Sequence, residues 1–104
     1  MMSVIEVTSA NFESEVLNSN VPVLVDFNAG WCGPCRAMKP MLEQLAAEGP
    51  AYKIASIDVD EEGDLAMDYG VSSIPCLVLF KGGKEVNRSV GLIPKDAIAR
   101  LAEG

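Results

Sequence analysis

Apolar residues in this chain fall into two alternating kinds of run, short blocks of strand length and longer stretches at helical spacing. Val4-Ile5-Glu6-Val7-Thr8 is short and β-branched and predicts a first strand. Ser9 stands at an N-cap position ahead of a helix over 10–18, with Phe12, Val16 and Leu17 facing inward. Asn18-Ser19-Asn20 predicts a turn. Residues 21–27 form the second strand. Within it 23–27 is almost continuously apolar, as suits a parallel strand covered on both faces. Pro22 belongs at its start, where it removes no ladder hydrogen bond.

A helix follows from Cys32 or Gly33 to Glu48, with Met38, Met41, Leu42, Leu45 and Ala46 at helical spacing. Pro40 interrupts it and predicts a kink, and Gly49-Pro50 ends it. Residues 52–59 alternate as a third strand, and the acidic segment 60–69 reads as a short helix closed by Gly70. A buried strand over 76–81, a Gly82-Gly83 hairpin turn and a return strand over 84–90 come next. A last amphipathic helix opens at Pro94 or Lys95, with Ile98 and Leu101 inward. The order βαβαβαββα predicts an α/β fold with one mixed sheet and helices on both faces. Residues 1–104 read as a single domain, without repeats or linkers.

Composition narrows the function. The net charge is −7, from 15 acidic and eight basic residues, which disfavours nucleic-acid binding through a basic patch. The chain has no histidine, so Cys-His nucleophilic catalysis and Cys/His zinc sites are excluded. No apolar run approaches the ~20 residues of a membrane span. The N-terminal stretch lacks the basic start and apolar stretch of a signal peptide, so a cytoplasmic protein is expected. Three cysteines are too few for a disulfide framework and read as reactive or buried thiols.

Two of those cysteines lie in Trp31-Cys32-Gly33-Pro34-Cys35, where the second strand passes into the long helix. A helix N-terminus favours the thiolate, the form of cysteine that attacks disulfides. Cys35, one turn further in, is close enough to pair with Cys32 and is expected to be the more buried. A structural zinc site would need a second such pair, which the sequence lacks. Asp26, inside an apolar strand, is the second anomaly. Burial would raise its pKa toward neutrality, whereas a place on a strand edge would leave it ordinary.

The Trp-Cys-Gly-Pro-Cys segment after Val25-Asp26-Phe27, with Ile74-Pro75 further on and Gly91 after the last strand, resembles the thioredoxin family along essentially the whole chain. The resemblance implies the thioredoxin fold, a mixed five-stranded sheet flanked by four helices. It implies a protein-disulfide reductase without cofactor or metal, monomeric, re-reduced by a thioredoxin reductase and acting on disulfide-bearing proteins. Cys32 would be the nucleophile, Cys35 the resolving thiol and Asp26 the proton acceptor and donor for Cys35. Pro75 would be cis and face Cys32, with the Ile74 backbone offered to an extended target segment. Trp31, Gly33, Pro34, Ile74 and Gly91 would line the contact surface. Thioredoxin couples lie at about −270 mV, and this one is expected nearby.

Three positions depart from that family's usual pattern. Asn28 stands where many members carry a second tryptophan, and its polarity is expected to wet the region of Asp26. Ser56 aligns where many carry a lysine near the buried carboxyl. Cys76 replaces the usual threonine after Pro75. It reads as a small buried apolar residue, as an accessory redox thiol, or as part of a metal or iron–sulfur centre with Cys32 and Cys35. Two other functions stay open: a binding module in which the thiols matter little, and an oxidant or isomerase on the same fold.

Overall fold

The alternation of side chains along a strand decides how this chain builds two cores from one sheet. The computed structural model describes residues 3–104. Met1 and Met2, the start of the stretch read for a signal peptide, lie outside them. Five strands join in the order β1-β3-β2-β4-β5. β1 (Ile5–Glu6) and β2 (Val23–Asn28) run parallel to β3 (Lys53–Asp58). β4 (Cys76–Lys81) is antiparallel to β2 and to β5 (Lys84–Val90). A π-helical turn (Glu13–Leu17) and the helices α1 (Gly33–Ala47), α2 (Gly63–Asp68) and α3 (Lys95–Glu103) complete the expected order.

On one side of the sheet Val23, Val25 and Phe27 of β2 pack with Phe12 and Val16 of the first helical segment and Ala66 of α2. On the other, Leu24, Leu77 and Leu79 pack with Met38, Leu42 and Leu45 of α1 and Ile98 of α3. Each such Val, Leu, Ile, Phe or Met side chain, fully removed from water, contributes about 1.5–3 kcal/mol. Both faces are therefore covered, and this is why 23–27 reads as a continuous apolar run. Asp26 falls in phase with Leu24, on the α1 side.

Three boundaries differ from the sequence reading. The first helix, expected over 10–18 with Ser9 as its cap, spans Glu13–Leu17 instead. It is wound so that the Asn18 N–H donates to the Glu13 carbonyl at 2.8 Å, five residues back. Residues before it are held in a side-chain turn, with the Thr8 N–H on Asn11 Oδ1 at 2.7 Å and the Ala10 N–H on Thr8 Oγ1 at 3.2 Å. Phe12 and Val16 are buried as expected. The first strand shrinks to two residues, although the Val7 N–H still reaches the Ser56 carbonyl at 2.9 Å. The acidic helix starts only at Gly63, because Asp58 Oδ1 takes the Asp60 N–H at 2.8 Å and bends the chain first.

Pro40 lies inside α1, which continues through it to Ala47. Gly82 and Gly83, with φ of 59° and 80°, make the tight turn between β4 and β5. A Cβ on Gly83 would also meet the Leu17 carbonyl oxygen at 2.8 Å, so glycine is needed there twice over. The β4–β5 register shifts between Leu79 and Phe80. Arg88 of β5 donates to the Tyr69 and Gly70 carbonyls at the end of α2 and pairs with Glu85 at 2.8 Å, tying this outer strand to the layer beneath it.

Candidate functional site

Where β2 ends, the chain turns through Ala29–Trp31 and enters α1 at the cysteine pair. Cys32 has an extended backbone and occupies the N-cap, its N–H donating to the Ala29 carbonyl at 3.2 Å. Its Sγ accepts the Cys35 N–H at 3.2 Å, the bond that Ser, Asp or Asn supplies at most helix starts. One turn of helix brings the two Cα atoms to 5.2 Å, and the cysteines are joined as a disulfide. Pro34 sits in the first turn, where a missing N–H costs nothing. The Arg36 guanidinium donates to the Gly30 carbonyl at 3.0 Å and braces the loop from within the helix.

Cys35 is not the more buried of the pair, against expectation. Both are 5% exposed, because Cys32 is covered with Cys35 by Ala29, Val59 and Ile74. Gly33 and Pro34 are exposed beside them. The Ile74–Pro75 bond is cis, as expected, and Pro75 is buried. From this segment Ile74 packs against the cysteine pair. Ile74 lies beyond the β2–β4 ladder, which begins at the Phe27–Cys76 pair. Gly91, at a φ of 98°, donates its N–H to the Pro75 carbonyl at 2.8 Å, and so sets the exposed Val90 and Leu92 beside that segment. Trp31 is 68% exposed, and its indole N–H donates to Asp60 Oδ2 at 2.9 Å. Asp60 escaped the sequence reading, which assigned it to a helix; no motif marks an acid that reaches across to a tryptophan 29 positions earlier.

Asp26 is buried, which removes the strand-edge alternative. Desolvation pushes its pKa from an ordinary 3.8 up to about 7; a hydrogen bond from Asn28 opposes the rise and Glu6 adds to it. Asn28 Nδ2 lies 2.9 Å from the Asp26 carbonyl oxygen, 3.3 Å from Asp26 Oδ2 and 2.8 Å from Ser56 Oγ. Ser56 is the β3 partner of Asp26 in the parallel ladder. Asp26 Oδ1 has no hydrogen-bond partner among the described residues. Asp26, Asn28, Ser56 and Cys35 line one cleft of about 740 Å³, with exposed Lys39 and Glu61 also in its wall. The two departures at Asn28 and Ser56 thus meet in one polar group around the carboxyl.

Cys76 lies on the opposite side of the sheet. It is 1% exposed and packs with Phe27, Val78 and the rest of the first core. Burial pushes its thiol pKa up, against an opposing pull from Arg88. This is the environment of a small apolar residue. It separates Cys76 from the Cys32–Cys35 cluster, and a shared metal centre has no geometry here. Among the described residues no three His, Cys, Asp or Glu side chains gather as metal ligands, and no helix is long and apolar enough to cross a membrane.

The sequence profile of the Thioredoxin family matches residues 3–103. A thioredoxin of Pyropia yezoensis is 46% identical over 99 residues, covering 94% of this chain and 92% of its own. A bifunctional thioredoxin reductase/thioredoxin of Mycobacterium leprae is 48% identical over 97 residues, 92% of this chain and 21% of that protein. Among solved structures, a mutant thioredoxin from Halobacterium salinarum superposes with a TM-score of 0.89 at 42% identity. That alignment covers 97% of this chain and 88% of the other.

Proposed function

This chain belongs to the thioredoxin family and is a thiol–disulfide oxidoreductase, and from that premise we propose the role of each residue in the exchange. In the reduced protein the Cys32 thiolate attacks one sulfur of a target disulfide. A Cys32–target mixed disulfide forms and a target thiolate leaves. Cys35 then gives its proton to the Asp26 carboxylate and attacks Cys32 Sγ. The second target thiolate leaves, and the Cys32–Cys35 disulfide remains. Two electrons pass from the pair to the target.

The observation that carries this reading is the disulfide-linked pair at the N-terminus of α1, with Cys35 and a carboxyl raised to about 7 in one cleft. A helix start stabilises the attacking thiolate, and a carboxyl titrating near neutrality can both take and return a proton. Trp31, Gly33, Pro34, Ile74, Pro75 and Gly91 form the docking surface in this reading. Ile74, clear of the ladder and against the cysteines, offers its backbone to an extended target segment. The Mycobacterium leprae relative carries reductase and thioredoxin in one chain, which supports a thioredoxin reductase as the source of electrons. Residues 1–104 act as one unit, a monomeric cytoplasmic carrier. The free thiol of Cys76 suits a reducing compartment.

Two substitutions test the roles. Cys32→Ser is expected to abolish reduction of a disulfide substrate, and Cys35→Ser to accumulate a covalent complex with it, both read by mass spectrometry. Release of the target at the normal rate by Cys35→Ser overturns the assignment. The potential of the pair in thiol buffers separates the alternatives: about −270 mV is a reductant, about −120 mV an oxidant. A pair that never titrates leaves only a binding module.

A further inference from the structure

The reading of Asp26 as proton carrier leaves open which carboxyl oxygen holds the proton, and the bonds of Asn28 answer it. A backbone carbonyl can only accept, so the atom of Asn28 that lies 2.9 Å from the Asp26 carbonyl must be the amide nitrogen, which fixes the orientation of the amide. That nitrogen donates to Ser56 Oγ at 2.8 Å, and its longer contact, 3.3 Å, falls on Asp26 Oδ2. The amide has two hydrogens for these three acceptors, so one is shared, and an N–H shared with Oδ2 leaves that oxygen the accepting one of the carboxyl pair. The proton of the neutral acid then belongs on Oδ1, the oxygen without a partner.

We propose that Asn28 is a positioning residue of the exchange: anchored to β3 through Ser56, it holds Asp26 Oδ2 as an acceptor and directs the transferable proton to Oδ1 of a residue that lines one cleft with Cys35. This inference rests on the proton-carrying role of Asp26. An N–H on Oδ2 also favours the carboxylate and holds the carboxyl lower than burial alone would. The other charged groups around the cleft are Glu6 on β1, Asp58 on β3, Glu61 beyond it, and Arg36, Lys39 and Glu43 on α1. Leu77, the β4 partner of Asp26, brings no charge. All of them stay in place when Asn28 alone is changed.

The test is the pH profile of the resolving step, measured as release of target thiol from a mixed disulfide preformed on Cys32. Asn28→Ala is expected to move its midpoint up by about one pH unit, the scale of one hydrogen bond to a charged group. Below that midpoint release slows about tenfold, with the rate of Cys32 attack unchanged. Ser56→Ala, which keeps the amide and removes its anchor, moves the midpoint the same way by less. It also provides the test should Asn28→Ala not fold. A midpoint that stays or falls in both variants overturns the positioning role. Asp26→Asn separates the two claims. If it keeps the wild-type profile, the role of Asp26 itself fails. If it flattens the profile while Asn28→Ala leaves it unmoved, Asp26 stands and only Asn28 is overturned.

Discussion

Asp26 and Cys76 lie on neighbouring antiparallel strands, one register step apart, with Asp26 opposite Leu77 and Cys76 opposite Phe27. Both are buried and both have their pKa pushed up by loss of water. The pleat sends them to opposite sides of the sheet. Asp26 meets a cleft with Asn28, Ser56 and a redox cysteine, whereas Cys76 meets Phe27 and Val78. Burial shifts both groups, but a shifted group can exchange protons only where donors, acceptors and a route to solvent come with it. In the proposed reading, the difference between a proton carrier and an inert thiol is the face of the strand, not the depth in the fold.

The strongest way to sharpen this contrast is Asp26→Asn. Well below pH 3.8 the wild-type carboxyl is neutral in both folded and unfolded chains, so this charge burden is absent there. Between 3.8 and about 7 the unfolded chain ionises first, and wild-type stability falls as pH rises. Above about pH 7 the full burden is present, about 4 kcal/mol at about 1.4 kcal/mol per pH unit. Denaturant unfolding at pH 8 should therefore find the variant more stable by up to that amount, with most of the gain gone near pH 4. A gain that does not depend on pH breaks the account of Asp26.

Next comes Cys76→Ser, which puts a hydroxyl among apolar side chains and is expected to cost about 1–3 kcal/mol in the same assay. No loss would mean that this side of the sheet admits water. Smallest is Cys76→Val, an apolar exchange of similar size, expected to change stability by less than about 1.5 kcal/mol and to leave disulfide reduction intact. Loss of turnover there would make Cys76 a working thiol and dissolve the contrast.

How much of this is legible in the sequence follows the reach of each interaction. Strands β2 and β4 and the helix α1 are readable because their apolar patterns are long and their ends carry Gly or Pro. The first helix is misplaced because the side chains of Thr8 and Asn11 compete for the backbone that Ser9 is expected to cap. The cysteine pair is plain from spacing and position, and Asp26 from its conflict with the strand around it. Equal burial of Cys32 and Cys35 is not readable, since it depends on Val59 and Ile74, far along the chain. The joint hold of Asn28 and Ser56 on one carboxyl depends on the β2–β3 register. Residues that meet only through register leave no local signal.

The outer strands set one further condition. β1 has only two residues, and β5 carries Lys84, Glu85, Asn87 and Arg88, with a register shift against β4 between Leu79 and Phe80. Short, charged or irregular borders are poor templates for adding another strand. The sheet therefore gives other chains little opportunity to pair along its edges. In the proposed reading, what it offers a target is the short segment at Ile74, outside the β2–β4 ladder and packed beside the cysteines. Transient company without permanent attachment is a property of its borders as much as of its chemistry.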